Sequence, residues 1–170
     1  MNYKSYIQEV KHWPQENITF KDISPFLLEP KCFSHAIDTL YARYKDLSLD
    51  KIVGIDSRGF IFASVLAYKL NVGLVLARKK GKLPEPKISE SYNLEYGSAT
   101  LEIKKDSITP KDKVIIVDDV LATGGTFSAV RNLVIKREAE LIEGTFLIDI
   151  RKEIGSQFKT ETPLFSLIEY

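Results

Sequence analysis

Asp118 and Asp119 stand side by side after the apolar run Val114-Ile115-Ile116-Val117, and the small, Gly-rich segment Ala122-Thr123-Gly124-Gly125-Thr126 follows two residues later. Four β-branched residues in a row suit a strand covered on both faces, the pattern of a parallel sheet. The Gly-rich segment then opens an amphipathic stretch that reads as a helix. Unpaired backbone N–H groups and the helix dipole make such a turn a ready anion site. Adjacent carboxylates at the end of a buried strand are costly without a partner, which points to a ligand rather than to solvent. A ligand satisfying both features carries a phosphate beside neighbouring hydroxyls, as a phosphorylated sugar does. A P-loop is excluded, because Phe127 and Ser128 follow Thr126 and no lysine is placed to reach a terminal phosphate.

A second strand end repeats this logic. Gly54-Ile55 leads into Asp56-Ser57-Arg58-Gly59-Phe60 and then into a helix. Its backbone N–H groups can take a second anion, to which Arg58 adds a planar, bidentate fork. The dense basic run Arg78-Lys79-Lys80-Gly81-Lys82 directly follows a third apolar strand. Its charges should therefore emerge at the same sheet edge and neutralise an anion there.

The elements that must position these groups can be read from apolar periodicity. Residues 3–11 predict a short helix ending before Pro14, and 31–47 a longer one carrying Phe33, Ile37, Leu40, Tyr41, Tyr44 and Leu47. Strands are expected at 52–55 and 72–77, with a helix over 59–70 between them. Residues 92–104 alternate weakly, as a hairpin or a mobile excursion would. A strand over 113–117, a helix over 125–138, a strand over 141–149 and a short strand over 164–167 complete the pattern. Alternation of strand and helix implies an α/β fold: a central, mostly parallel sheet flanked by helices. Ligands on such sheets collect at the carboxyl ends of the strands, where the acid pair lies.

With 170 residues, the chain has the length of one domain. Its formal net charge of +1 argues against a partner held by bulk electrostatics, so no nucleic acid is expected. The single cysteine, Cys32, cannot form an intramolecular disulfide, and only His12 and His35 could pair with it as a nucleophile. No apolar run approaches the roughly 18 residues of a membrane span. The N-terminus lacks a signal-peptide core, so the expectation is a cytoplasmic protein.

The order of apolar strand, acid pair and Thr-Gly-Gly-Thr turn resembles the 5-phosphoribosyl-1-pyrophosphate (PRPP) signature of the type I phosphoribosyltransferases. Further segments narrow the likeness to the adenine phosphoribosyltransferases. Trp13-Pro14 with Phe20-Lys21-Asp22-Ile23-Ser24-Pro25 resembles their amino-terminal purine cover. Ser91-Tyr92-Asn93-Leu94-Glu95-Tyr96-Gly97 resembles their mobile catalytic loop, and Pro163-Leu164-Phe165-Ser166-Leu167 their ending.

The resemblance implies one phosphoribosyltransferase domain over 1–170, with a small hood over the purine site at about 1–30. The basic segment and catalytic loop would fill about 78–106. It implies transfer of the 5-phosphoribosyl group from PRPP to adenine, giving AMP and pyrophosphate in purine salvage. Glu95 would be the catalytic acid, with Tyr96 beside it. Asp118 and Asp119 would meet the ribose; Ala122, Thr123, Gly124, Gly125 and Thr126 would hold the 5-phosphate. Asp56, Ser57, Arg58 and Lys82 would meet the pyrophosphate in a loop that in such enzymes often carries a non-proline cis peptide. Arg78 would reach the site of a neighbouring subunit in a homodimer, and it and Lys82 rank ahead of Lys79 and Lys80. Phe20, Lys21 and Leu121 would enclose the adenine. Mg²⁺ would be held mainly by PRPP rather than by a protein cage. Lys21 stands where the family usually has arginine, and Glu85 where it usually has glycine.

Two rivals share the signature. A 6-oxopurine phosphoribosyltransferase would use a lysine near the purine oxygen, for which Lys152 is the candidate, though the aromatic residue expected beside it is missing. A non-catalytic PRPP-sensing regulator would need a nucleic-acid module, and only about fifty residues precede the first core strand.

Overall fold

Apolar alternation along the strands decides which residues face which helix, and through them where the polar strand ends emerge. The structure is a computed structural model and describes residues 1–93 and 97–170. The chain divides into two units, Met1–Arg43 and Tyr44–Tyr170.

The first unit departs from expectation at its start. A single 3-10 turn, Tyr3–Tyr6, is followed by strand β1 (Gln8–Lys11) rather than by a helix continuing to residue 11. Tyr3, Ile7 and Val10 satisfy helical spacing, but strand β2 (Thr19–Asp22) offers a pairing partner further along, and tertiary context outweighs the local pattern. The two strands pair antiparallel, with Val10 opposite Phe20 and Glu9 opposite Lys21. Helices α1 (Ser24–Leu28) and α2 (Pro30–Tyr44) follow. Proline suits the first position of α2, where its missing N–H removes no hydrogen bond. Cys32 is buried on this helix, and burial pushes its thiol up, away from a thiolate nucleophile. His35 turns to Tyr3 instead, Nδ1 lying 2.6 Å from the phenol oxygen.

The second unit is built on a seven-stranded sheet. Its strands are β3 (Lys51–Ile55), β4 (Gly73–Lys79), β5 (Lys87–Asn93), β6 (Ser98–Lys104), β7 (Lys113–Leu121), β8 (Glu140–Asp149) and β9 (Leu164–Glu169). The spatial order is β5-β6-β4-β3-β7-β8-β9. β4, β3, β7, β8 and β9 run parallel, whereas β6 is antiparallel to β4 and β5. Helices α3 (Gly59–Leu70) and α4 (Gly125–Lys136) lie close to the expected bounds. Val53, Ile55, Val75, Ala77, Val114 and Ile116 face a core completed by Phe127, Val130 and Leu133 of α4. The alternate residues of β3 and β7 turn to α3, where a Cβ on Gly54 would stand 2.8 Å from that of Ala63. The α/β architecture with a mostly parallel sheet therefore stands as the alternation implied.

Two boundaries differ in ways that matter for the site. The hairpin begins at Lys87 rather than near residue 92, so Glu90 and Tyr92 belong to a strand. β7 continues through the acid pair to Leu121. Pairing with β3 ends at Gly54–Val117, but pairing with β8 carries on, with Asp118 opposite Phe146 and Leu121 opposite Asp149. Among the described residues, no helix is long and apolar enough to cross a membrane.

Candidate active site

Because β7 runs on from its last pairing with β3, at Val117, through the acid pair to Leu121, the space beside Asp118 and Asp119 is left to whatever follows β3. That is Asp56-Ser57-Arg58-Gly59. Gly59 makes the approach possible: a Cβ there would lie 2.8 Å from both Asp118 Oδ1 and the Val117 carbonyl. The peptide bond Asp56–Ser57 is cis, as the resemblance implies. Asp56, Ser57 and Arg58 from one strand end then share a cleft of ≈ 310 Å³ with Asp118, Asp119 and Thr126 from the other.

Charge in this cleft is unevenly prepared. Arg58 Nε stands 2.7 Å from Asp119 Oδ2, yet this buried oxygen has no hydrogen-bond partner. Asp118 Oδ1 accepts the Asp119 N–H at 2.9 Å. Burial pushes Asp118 well above the usual carboxylate range, and the charge of Asp119 pushes it the same way. Burial also raises Asp119, against the pull of Arg58. Two carboxyls are thus held where neither is comfortable as an anion. Incoming hydroxyls, or a developing positive charge, would relieve them.

The 5-phosphate candidates form the next wall. Ala122, Thr123, Gly124 and Thr126 line a nook of ≈ 60 Å³ with Asp118 and Leu121. Gly124, at φ +80°, is the N-cap of α4 and supplies no side-chain cap, so the first N–H groups of the helix keep their donor capacity for a ligand. Gly125 is the first residue of that helix.

β4 splits the basic run between two faces. Val75 and Ala77 point into the core, so Lys79 comes out on their side and lines the cleft. Arg78 faces the other way. Its Nε pairs with Asp56 Oδ2 at 2.9 Å, and its guanidinium carbon lies 5.8 Å from the centre of the Phe60 ring. Burial raises the Asp56 carboxyl, but the Arg78 hydrogen bond and the Lys79 N–H outweigh it and hold the carboxyl below the usual range. Lys82 is exposed on the turn beyond β4, its N–H donating to the Lys79 carbonyl at 3.2 Å.

Phe20 and Lys21 lie on β2 in the first unit and Leu121 ends β7 in the second. Lys21 is buried, with Nζ 2.6 Å from Glu9 Oε1, so its charge already has a partner. Glu85 precedes a cis proline, and its carbonyl accepts from Lys104 Nζ at 2.9 Å. Lys152 is exposed and pairs with Glu169 at 3.2 Å. Glu95 and Tyr96 lie outside the described residues. No group of three or more His, Cys, Asp or Glu among the described residues is placed to hold a metal ion.

Two contributors escaped the sequence reading, and a third, Lys79, stood behind Arg78 and Lys82 in it. Lys79 needed the phase of β4 to be separated from Arg78. Tyr92 lines the cleft from β5, and Thr126 Oγ1 donates to its hydroxyl at 3.3 Å. Phe158 packs on the turn at Gly124: a Cβ there would lie 2.3 Å from its ring. A lone aromatic residue between Gln157 and Lys159 was the one available signal. A roomier cavity, ≈ 360 Å³, opens by Asp149, Arg151 and Tyr170, but the Arg151–Asp149 ion pair at 2.6 Å already neutralises its main charges.

Two anion-facing strand ends meeting across an acid pair, on this sheet, define a phosphoribosyltransferase. The chain belongs to that family: the phosphoribosyl transferase domain model matches residues 27–168. Within it, the chain is 44% identical over 170 residues to a protein of Desulfosudis oleivorans named adenine phosphoribosyltransferase, covering 100% of this chain and 98% of that one. The adenine phosphoribosyltransferase structure from Rhodothermus marinus superposes with a TM-score of 0.91 at 40% identity, covering 99% and 96% of the two chains. That from Saccharomyces cerevisiae, a complex with adenine and an imino-altritol bisphosphate, gives 0.90 at 38% identity, covering 97% and 96%.

Proposed function

We propose that this chain is an adenine phosphoribosyltransferase, moving the 5-phosphoribosyl group of PRPP to adenine with release of pyrophosphate and formation of AMP in purine salvage. The observation that carries the reading is the shared cleft, in which the raised acid pair lies between Arg58 and the uncapped start of α4. PRPP has this shape: a pyrophosphate end, a ribose with two hydroxyls and a 5-phosphate.

The roles follow from where charge develops. Adenine attacks C1 of the ribose as the C1–oxygen bond to pyrophosphate breaks, through a transition state of oxocarbenium character. Asp118 and Asp119 accept the ribose hydroxyls and sit where positive charge grows. Arg58 and Lys82, joined by Lys79, sit where the pyrophosphate gains negative charge, and Asp56 and Ser57 shape that loop. Ala122 to Thr126 grip the 5-phosphate. Phe20, the backbone of Lys21 and Leu121 receive the adenine; the Lys21 side chain, already paired with Glu9, contributes through packing. Glu95, with Tyr96 beside it, manages the proton at the purine imidazole nitrogen.

Mg²⁺ fits this chemistry as a companion of PRPP. The carboxylates of Asp118 and Asp119 on the cleft wall are hard oxygen donors of the kind Mg²⁺ takes, one of them shared with Arg58. When bound, the ion would neutralise the departing pyrophosphate. Leu74 and Leu76 are 40% and 37% exposed on the face of β4 that also bears Arg78. A second copy covering that face would bury both leucines beside Arg78, which supports the homodimer; Arg78 reaching the neighbouring site and the cytoplasmic location are proposed from the family resemblance. In this proposal one catalytic domain spans 1–170, with about 1–30 as hood and about 78–106 as basic segment and loop.

Purified protein with Mg²⁺ and PRPP, offered adenine, hypoxanthine and guanine in parallel with products read by mass, tests the reading. AMP from adenine alone is expected. Nucleotide from hypoxanthine or guanine, or PRPP binding with no product, would overturn it.

A further inference from the structure

Tyr92 has no part in the roles above, yet it touches the phosphate turn. β5 presents Ile88, Glu90 and Tyr92 on one face, and all three meet α4 or the core around it. Glu90 clamps two turns of the helix at once, accepting from Asn132 Nδ2 at 2.8 Å and from Lys136 Nζ at 2.5 Å. The Tyr92 ring packs against the core, and its hydroxyl receives a hydrogen bond from Thr126 Oγ1 at 3.3 Å. The phenol is thus held by a strand that is itself braced along the helix, and its oxygen is aimed at the last residue of the Thr-Gly-Gly-Thr turn.

Proton counting shows what this contact does when an anion arrives. The Thr126 hydroxyl has one proton, and in this structure it goes to Tyr92. A bound phosphate can only accept, so it claims that proton. Tyr92 must then reverse and donate to Thr126 Oγ1. The outcome is a chain, Tyr92 to Thr126 to phosphate, in which each bond polarises the next and the last is charge-assisted. At 3.3 Å the present contact is longer than a relaxed hydroxyl pair, which leaves room for it to tighten.

We propose that Tyr92 is a positioning residue of the 5-phosphate subsite, acting through the Thr126 hydroxyl. The inference rests on the reading of the turn as the 5-phosphate site. It also makes a distinction that general damage to the fold would not make. Tyr92 itself lines the cleft with Arg58 and Lys79, but Thr126, through which it acts, also lines the nook of Ala122 to Gly124, so ligands carrying the 5-phosphate should sense Tyr92 more than pyrophosphate does.

The test is calorimetric titration of the full-length protein with ribose 5-phosphate and, separately, with inorganic pyrophosphate and Mg²⁺. Tyr92→Phe keeps the ring and removes only the hydroxyl. It should weaken ribose 5-phosphate binding roughly 5–10-fold, the value of one neutral hydrogen bond, and leave pyrophosphate within about twofold. In turnover, KM for PRPP should rise while KM for adenine holds. In a Thr126→Val background the effect of Tyr92→Phe should vanish, because the relay is already cut. Unchanged ribose 5-phosphate affinity, equal losses for both ligands, or full additivity with Thr126→Val would each overturn the assignment. If the unmodified protein fails to bind ribose 5-phosphate while binding pyrophosphate, the phosphate-turn reading falls and takes this inference with it.

Discussion

The ends of β3 and β7 look alike in sequence, each an apolar strand running into aspartate and then into a helix, but they are prepared in opposite ways. At the end of β3, Asp56 is tied by Arg78 and the Lys79 N–H and is held below the ordinary carboxylate range. At the end of β7, Asp118 and Asp119 are pushed above it, and one buried oxygen lacks a hydrogen-bond partner. Asp56 is a finished brace that fixes a loop. The acid pair is an unfinished arrangement that a ligand completes. Residue type alone does not separate brace from site, and neither does an arginine partner, since Arg58 stands 2.7 Å from Asp119; deeper burial and the adjoining carboxyl do.

The severest way to break the β7 end is through its turn. Gly124→Ala places a side chain at φ +80° and drives a Cβ into the Phe158 ring. Left-handed backbone and overpacking together should cost about 3 kcal/mol of stability. With the helix N-terminus displaced, AMP formation should fall by at least about 10²-fold, the scale of a lost preorganised donor. Steady-state assay and thermal melting read the two losses. Normal activity would mean that the turn does not hold the phosphate in this geometry.

Asp118→Asn separates function from stability. The folded protein holds a proton on Asp118 more tightly than the unfolded chain does, so its stability declines as pH rises above the ordinary carboxylate range. Asparagine removes that decline. The variant should lose about 10²-fold in turnover yet melt about 2–4 °C higher at neutral pH, the shift expected for ~1 kcal/mol. Near pH 4 its advantage should disappear. Asp56→Asn is the mirror experiment. The depressed Asp56 contributes stability above the ordinary range and loses it as pH falls through its folded value. Its replacement should lower the melting point by about 2–4 °C at neutral pH, with no difference in strong acid. Two aspartates at equivalent strand ends should therefore give opposite signs in one melting experiment, and equal signs would erase the contrast between brace and site.

The β7 end was legible in sequence because its chemistry is contiguous. Acid pair, turn and helix start lie within nine residues, Asp118 to Thr126, and strand, turn and helix each follow from local pattern. What stayed hidden depends on register and long-range contact. β7 runs on through the acids because β8 extends beyond β3, a fact of pairing that no window over 113–117 contains. The first ten residues fit helical spacing as well as strand, and the decision came from Thr19–Asp22. The roles of Gly59 and Phe158 are steric fits between segments far apart in the chain.

The smallest expected effect concerns the lysines that complete the β3 end. Lys79 and Lys82 are three residues apart, and composition cannot rank them. Strand phase puts Lys79, exposed like Lys82, on the cleft wall, where its charge can meet a bound ligand directly and is screened less than a charge held off at a distance. Lys82 stands exposed on the turn, where water and salt screen it. Lys79→Ala should raise KM for PRPP about fivefold, the equivalent of ~1 kcal/mol, and most of that should survive at 0.5 M salt. Lys82→Ala should raise it about twofold at low salt and negligibly at 0.5 M, as a Debye length of about 4–5 Å requires. A larger, salt-resistant effect at Lys82 would mean that the turn folds over the pyrophosphate when substrate binds, and that the ligand, rather than strand phase, brings the second cation to the β3 end.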